Sequence, residues 1–214
     1  MFSLAWQQDS IYLELRKRIV ELKYPPGEVI SERDLLSEFH TSRTPVRESL
    51  LKLEKDGLVE ILPRVGTYVS QIDLRSVRNA YEMKKNLEGL AAELASQRAT
   101  EEQIEGLLEI AETFSRLDNV RNYRECIEND KKFHYYTRLA CGNPLLVKTL
   151  NDLSDITVRF LQHIQYVEHD YQWYKDSIMA IASAIRDRDG PRARREAEEH
   201  TAAFLAKLAN YFFG

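Results

Sequence analysis

The chain has 214 residues and a formal net charge of −4. With 43% hydrophobic and 30% charged residues, its composition is that of an ordinary soluble globular protein. Two cysteines, Cys126 and Cys141, exclude a disulfide framework and a C-x-x-C metal motif. Because the N-terminus lacks the features of a signal peptide and the longest apolar run, 177–185, is too short to span a bilayer, we expect a cytoplasmic protein without a membrane partner.

The first 72 residues predict helices at their start. Apolar residues recur every three or four positions between residues 10 and 23, which indicates a helix that the Pro25–Gly27 turn ends. Ser31 is a good N-cap residue for a second helix over 31–39.

A third helix and a hairpin follow. Thr41 or Ser42 caps the helix, and Gly57 supplies its C-terminal stop. Two short runs rich in β-branched and apolar residues, "LVEIL" and "TYVSQI", then flank the turn "PRVG" at 63–66 and predict a two-stranded hairpin. Three helices followed by a hairpin is the order of a winged helix-turn-helix.

The remainder of the chain shows only helical patterns. Helices are expected at about 73–97, 101–118, 121–141, 144–169, 171–188 and 191–213. Thr100 opens one of them as a capping box, and the turns "CGNP" and "DRDGP" separate others. We therefore predict a mostly α chain of two domains, a winged helix-turn-helix over 1–72 and a bundle of about six helices over 73–214.

The first turn of the third helix carries residue types that suit DNA. A helix N-terminus attracts phosphate, short hydroxyls can bond phosphates or base edges, and arginine matches the two major-groove acceptors of guanine. The residues concerned are Ser42, Arg43, Thr44 and Arg47, with Pro45 stiffening the turn that presents them. Further candidates for backbone contacts are Arg33 on the preceding helix and Arg64, Gly66 and Thr67 at the hairpin tip.

Two observations oppose this interpretation. Residues 1–72 contain ten Lys or Arg against eleven Asp or Glu, so any DNA binding must rely on a local patch. Arg43 and Arg47 lie four residues apart and could form an ordinary solvated face, with Glu48 partly neutralising Arg47.

Residues 25–69, from "PPGEVISERDLLSEFHTSRTPVRE" to "RVGTYV", resemble the DNA-binding domain of the GntR family of bacterial transcription regulators. The matching motifs are specific and cover nearly the whole predicted domain. The resemblance implies that five positions contact operator DNA, namely Arg33, Arg43, Thr44, Arg47 and Gly66.

The second domain resembles, more loosely, the FCD effector domain of the FadR-like branch, through stretches such as "DKKFHYYTRLACGN". Its length and six helices are similar to the VanR-type subgroup. The resemblance implies an antiparallel helical bundle around a small-molecule pocket for an effector that is often a carboxylate. It also implies one divalent metal held by one aspartate and three histidines. Oxygen and imidazole ligands suit Zn, Ni, Mn or Fe, and the sequence does not choose among them.

Only part of that ligand set is present. Asp130, His134 and His200 match three ligand positions, whereas Ile178 stands where the family has another histidine, and Lys84 stands for its pocket arginine. These replacements imply an altered effector, a weaker metal site, or none.

Helical periodicity agrees with an inward site. Asp130 and His134 are four residues apart on one helix face, and His200 lies in a row of mostly apolar residues. The alternative is that each is a core polar residue with a hydrogen-bond partner, such as a His134–Asp130 pair.

Three functions remain open from the sequence. The first is a ligand-responsive transcription regulator, a repressor that binds a pseudo-palindromic operator as a homodimer. The second is a metal-dependent helical enzyme using Asp130, His134 and His200, although no nucleophile or H-E-x-x-H motif is present. The third is a module whose helical domain binds another protein.

Overall fold

The computed structural model describes residues 4–118, 121–164 and 172–213. Along the chain its elements are α1 (Leu4–Val20), β1 (Val29–Ile30), α2 (Glu32–Glu38), α3 (Arg43–Lys55), β2 (Val59–Leu62), β3 (Gly66–Val69), α4 (Leu74–Arg98), α5 (Glu101–Arg116), α6 (Tyr123–Ala140), α7 (Pro144–His163), α8 (Gln172–Arg186) and α9 (Gly190–Phe213). This order of a winged helix-turn-helix followed by six helices confirms the predicted fold class. In the described part of the chain, we find no helix with both the length and the apolar character needed to cross a membrane.

The chain forms two compact units. The first comprises Met1–Val77 and Asp155–Tyr166, and the second comprises Arg78–Ser154 and Val167–Gly214. The division therefore assigns the end of α7 to the first unit. The boundary predicted at 72/73 stays a prediction.

The core of the first unit is built by the helices and the wing together. Leu15 and Ile19 of α1 pack with Val46, Leu50 and Leu53 of α3, and all five are buried. Spacings of three and four residues place these side chains on the inner face of each helix. The outer face of α3 is thereby left to solvent.

The wing differs from the predicted two-stranded hairpin. The strands form a three-stranded antiparallel sheet in the order β1-β3-β2, with Val29 opposite Tyr68 and Ile30 opposite Thr67. The prediction missed β1 because two residues are too few to show an alternating pattern.

The ends of α1 and α3 have different causes. The first helix was predicted over 10–23, but it begins at Leu4 and ends at Val20, and Leu22 has a φ of 55° that no α-helix accepts. The end of α3 is as predicted. Gly57 has a φ of 71°, and its N–H donates to Glu54 while that of Leu58 donates to Leu53, which is a Schellman motif.

The second unit confirms most predicted helix boundaries to within a few residues. Thr100 accepts from the Gln103 N–H while the Gln103 side chain accepts from the Thr100 N–H, as the capping box predicts. The core contains buried residues of α4, α5, α6, α8 and α9, with Phe114, Phe133 and Ile185 among the largest. The predicted helix end at 169 and start at 171 lie outside the described residues.

Candidate DNA interface and effector site

The start of α3 presents the predicted residues to solvent. Arg43, Thr44 and Arg47 are exposed, and so is the N-cap residue Ser42. The Ser42 side chain makes no capping hydrogen bond within the described structure, so its hydroxyl is not engaged by the helix start. Pro45 is buried, where it shapes the turn and cannot itself contact DNA through its ring.

Arg47 is held by a carboxylate of the neighbouring helix. Its Nε lies 3.3 Å from Oε2 of Glu32, and the two side chains are 64% and 37% exposed. The described ion pair of Arg47 is therefore with Glu32 and not with the adjacent Glu48 that the sequence suggested. Glu32 is fifteen residues away, and only the packing of α2 against α3 brings it close. Bound DNA would compete with Glu32 for Arg47.

We expect Glu32→Gln to strengthen DNA binding. The amide removes the negative charge that offsets Arg47 but keeps the side-chain size, and an exposed pair of this kind contributes about 0.2–1 kcal/mol. Affinity for any duplex should therefore rise up to about fivefold at low salt, as measured by fluorescence anisotropy. Glu48→Gln, which removes a charge without this contact, is the matched control, and an equal gain in both would contradict the pairing.

The wing tip places its predicted residues differently. Arg64 is exposed and has a φ of 64°, whereas Gly66 has a φ of 146° that side chains rarely permit. Arg33 is also exposed, on α2. Thr67 is only 4% exposed, because it alternates inward along β3, so its side chain is not open to DNA. Its predicted side-chain contact is not supported, although its backbone follows the tip.

In the second unit, the structure brings Asp130, His134 and His200 together. His134 Nε2 lies 3.5 Å from Asp130 Oδ1, and the rings of His134 and His200 have centroids 5.5 Å apart. Two groups that the sequence interpretation did not assign complete the cluster. The hydroxyl of Tyr174 donates to Asp130 Oδ1 at 2.5 Å, and Ser177 Oγ lies 2.7 Å from His200 Nδ1.

The cluster fits a metal ion poorly. One oxygen of Asp130 and one ring nitrogen of His200 already have protein partners, and Ile178, 1% exposed, places hydrocarbon where a further ligand would stand. The described residues contain no group of three His, Cys, Asp or Glu arranged to hold an ion. A metal at this site stays a prediction.

A buried ion pair lies beside the cluster. Arg138 Nη2 is 2.5 Å from Glu88 Oε1, and both side chains are almost fully buried. Arg138 also donates to Asn151 at 3.1 Å and to Ser154 at 2.8 Å. The pair thus connects α4, α6 and α7. The sequence interpretation missed it, although Glu88 follows Lys84 by four residues and Arg138 follows His134 by four.

Burial and neighbouring charges shift the pKa values of the two buried carboxyl groups in opposite directions. Burial alone would raise the pKa of Asp130 and Glu88, but nearby positive groups and hydrogen bonds outweigh it and hold each pKa at about 2. Burial lowers the pKa of His200 to about 3. At neutral pH the cluster therefore contains two carboxylates and a neutral His200.

Lys84 is a cationic group whose charge interacts with Asp130 and Glu88. Burial lowers its pKa to about 8, and the carboxylates of Glu88 and Asp130 act in the opposite direction. Its Nζ also lies 5.7 Å from the ring centroid of Tyr81. At pH 7 Lys84 still carries most of its charge.

A small cavity of about 10 Å³ lies among these side chains. Its walls include Glu88, His134, Thr137, His200 and Thr201. That volume holds about one water molecule. An organic ligand would have to displace side chains or separate helices in order to enter this cavity.

Comparison with family models identifies both units. Residues 7–69 match the model of the bacterial regulatory proteins of the gntR family, and residues 79–203, more than half of the chain, match the FCD domain. The chain belongs to the GntR family and carries an FCD domain. It is a DNA-binding transcription regulator and not an enzyme.

Curated relatives and solved structures agree. The HTH-type transcriptional repressor RspR of Escherichia coli is 28% identical over 89% of this chain and 83% of its own length. An HTH-type regulator of Bacillus subtilis, YdhC, is 32% identical over 72% of this chain and 69% of its own length. The structure of E. coli McbR/YncC has a TM-score of 0.79 at 18% identity, covering 99% of this chain and 100% of that one, so it shows the same fold.

Proposed function

We propose that this regulator is a repressor that binds a pseudo-palindromic operator as a homodimer and releases it when a small acid binds the FCD domain. The observation that carries the proposal is the exposed set Ser42, Arg43, Thr44 and Arg47 at the start of the recognition helix. One such helix reads only a few base pairs, and a two-fold dimer doubles that number. The names of RspR and of NanR of Cronobacter sakazakii, both called repressors, support the direction of regulation.

The effector site of this proposal is the cluster of Lys84, Asp130, His134 and His200 with Ile178 at its wall. An acid needs a cation. We assign the acid group to Lys84, because its charge interacts with Asp130 and Glu88 and its burial strengthens an ion pair. The six helices of the second unit also support a VanR-type subgroup.

Opening of the small cavity links effector binding to a conformational change. Because the cavity holds about one water, an acid can enter it only in a state in which its walls have moved. A ligand that prefers one state shifts the population toward it. If that state binds DNA less well, the acid releases the operator.

A gel-shift assay tests the DNA-binding part of the proposal. The probes are duplexes from the DNA flanking the protein's own gene, and a shuffled duplex of the same composition is the control. We expect a retarded complex with two chains per duplex at salt concentrations where the shuffled duplex stays free. Equal retention of both duplexes would contradict sequence-specific binding.

A panel of small mono- and dicarboxylic acids, added to the preformed complex, tests the effector part. We expect one class of acid to release the duplex, and Lys84→Met to abolish the release while DNA binding without acid persists. Release that is undiminished in Lys84→Met would contradict the assignment of Lys84.

Metal content is a separate prediction. Because one oxygen of Asp130 and one nitrogen of His200 have protein partners, we expect protein purified without a His-tag to hold less than one divalent ion per chain after dialysis. Any ion held by the cluster should be lost in His134→Ala, as measured by elemental analysis. One tightly held ion per chain that survives His134→Ala would place the metal elsewhere.

A further inference from the structure

The recognition helix has an apolar residue at the centre of its outer face. Leu51 follows Thr44 by seven residues and Arg47 by four, so the three side chains lie on one face of α3. Leu51 is 50% exposed, although the other leucines of this helix, Leu50 and Leu53, are buried. Packing in the core therefore does not explain why this position is a leucine.

Leu51 also lines a groove between α3 and the wing. The groove has a volume of about 630 Å³, and its walls include three further exposed apolar side chains. These are Val29, Leu62 and Val65, which are 56%, 46% and 65% exposed. Arg47 and Arg64 line the same groove together with Glu32, the partner of Arg47, so its charged side chains carry a net charge of +1.

Charge and chemistry together select DNA as the occupant of this face. The net positive charge of this lining attracts phosphates. A branched aliphatic group such as Leu51 has one matching partner among the base edges of the major groove, the 5-methyl group of thymine. We propose that Leu51, which lies one turn of α3 beyond Arg47, is a specificity-determining residue that recognises a thymine methyl group in each half-site. The proposal rests on the DNA-binding function proposed above.

The size of the effect follows from burial of one methyl group. Removing a methyl from contact with a hydrocarbon surface weakens binding about fourfold. Leucine offers no hydrogen bond, so it leaves the polar edges of the other bases unsatisfied. It distinguishes those bases from thymine only in this way. We therefore expect a preference for thymine at a single position of each half-site.

The experiment uses the full chain and a duplex that it selects from a random library. Each thymine of that duplex is replaced in turn by deoxyuridine, which lacks only the methyl group, and affinity is measured at fixed salt. With the wild-type chain, we expect one position per half-site at which the replacement weakens binding about threefold to fivefold. With Leu51→Ala, the same replacement should have no effect.

Two further variants separate specificity from folding. Leu51→Gln, whose amide can form two hydrogen bonds with adenine, should select from the library duplexes in which adenine replaces that thymine. Leu13→Ala changes an equally exposed leucine of α1, 59% exposed, and should keep the wild-type deoxyuridine profile. Loss of the methyl effect in Leu13→Ala would overturn the assignment to Leu51.

Different outcomes would overturn the DNA-binding function and the role of Leu51. Failure of the wild-type chain to enrich any duplex would overturn both the proposed function and the role of Leu51. Enrichment of a duplex whose deoxyuridine profile and base preferences are the same for wild type, Leu51→Ala and Leu51→Gln would overturn the role of Leu51 alone.

Discussion

Arg43→Ala and Arg47→Ala should each weaken operator binding by about 1–3 kcal/mol per half-site, which is about 5- to 150-fold. Both side chains are exposed on the first turns of α3, where a recognition helix faces the bases. An arginine that bonds guanine through two hydrogen bonds loses both in the alanine variant. The measurement is fluorescence anisotropy with a library-selected duplex at a fixed salt concentration.

A salt titration distinguishes base contacts from phosphate contacts. A lost phosphate contact reduces the slope of log affinity against log salt by about one, whereas a lost base contact weakens binding with little change of slope and relaxes base preference. Arg116→Ala is the control, since Arg116 is an exposed arginine of α5 whose ion-pair partner among the described residues is Glu112. Unchanged affinity in both recognition-helix variants would contradict the assignment of α3.

Disruption of the buried pair in the second unit should have the largest effect on stability. Arg138→Met leaves Glu88 charged and buried without its main partner, and Glu88→Gln does the same to Arg138. Breaking a buried pair from one side costs about 3–5 kcal/mol. Urea unfolding followed by circular dichroism measures the loss, because urea, unlike guanidinium, does not screen charges.

The double variant Glu88→Gln with Arg138→Met is the internal control. Since it removes both charges, it should be less destabilised than the sum of the two single variants. Arg116→Met, which breaks an exposed pair with side chains 77% and 57% exposed, should change stability by less than about 1 kcal/mol. Additive losses in the double variant would show that the two side chains do not interact.

The same pair predicts acid sensitivity. Arg138 and other positive groups outweigh the effect of burial and lower the pKa of Glu88 from 4.5 to about 2. A lowered pKa in the folded state stabilises the fold fully above the unfolded value, and this contribution is lost as pH falls from about 4.5 toward 2. Glu88→Gln should therefore flatten the stability profile in that range.

The first unit was predictable because its punctuation is local. Gly57 fixes where α3 stops, and the apolar rows of α1 and α3 fix which faces are buried. The end of α1 at Val20 was not predictable in this way, because it precedes the Pro25–Gly27 turn. The strand β1 was missed because pairing with β3, a long-range interaction, defines it rather than its own two residues.

The candidate site was predictable only in part. Periodicity indicated that Asp130, His134 and His200 face inward, and the structure brings them together. Their partners Tyr174 and Ser177 come from α8, and no local pattern links that helix to α6.

Charged residues were the main source of error. A charge in a sequence is assigned to the surface by default, so the buried Glu88–Arg138 pair, fifty residues apart, was not anticipated. The Glu32–Arg47 contact was missed for a related reason, since spacing along one helix suggested Glu48. Partner choice for such groups depends on how helices pack.

The central claim, sequence-specific DNA reading by paired recognition helices, is tested most directly by a hydroxyl-radical footprint of the full chain on the duplex that it selects. We predict two protected segments related by two-fold symmetry, with centres about one helical turn apart, that disappear together in Arg43→Ala. A single protected segment, uniform protection, or a footprint that is unaffected by Arg43→Ala and Arg47→Ala would contradict the account.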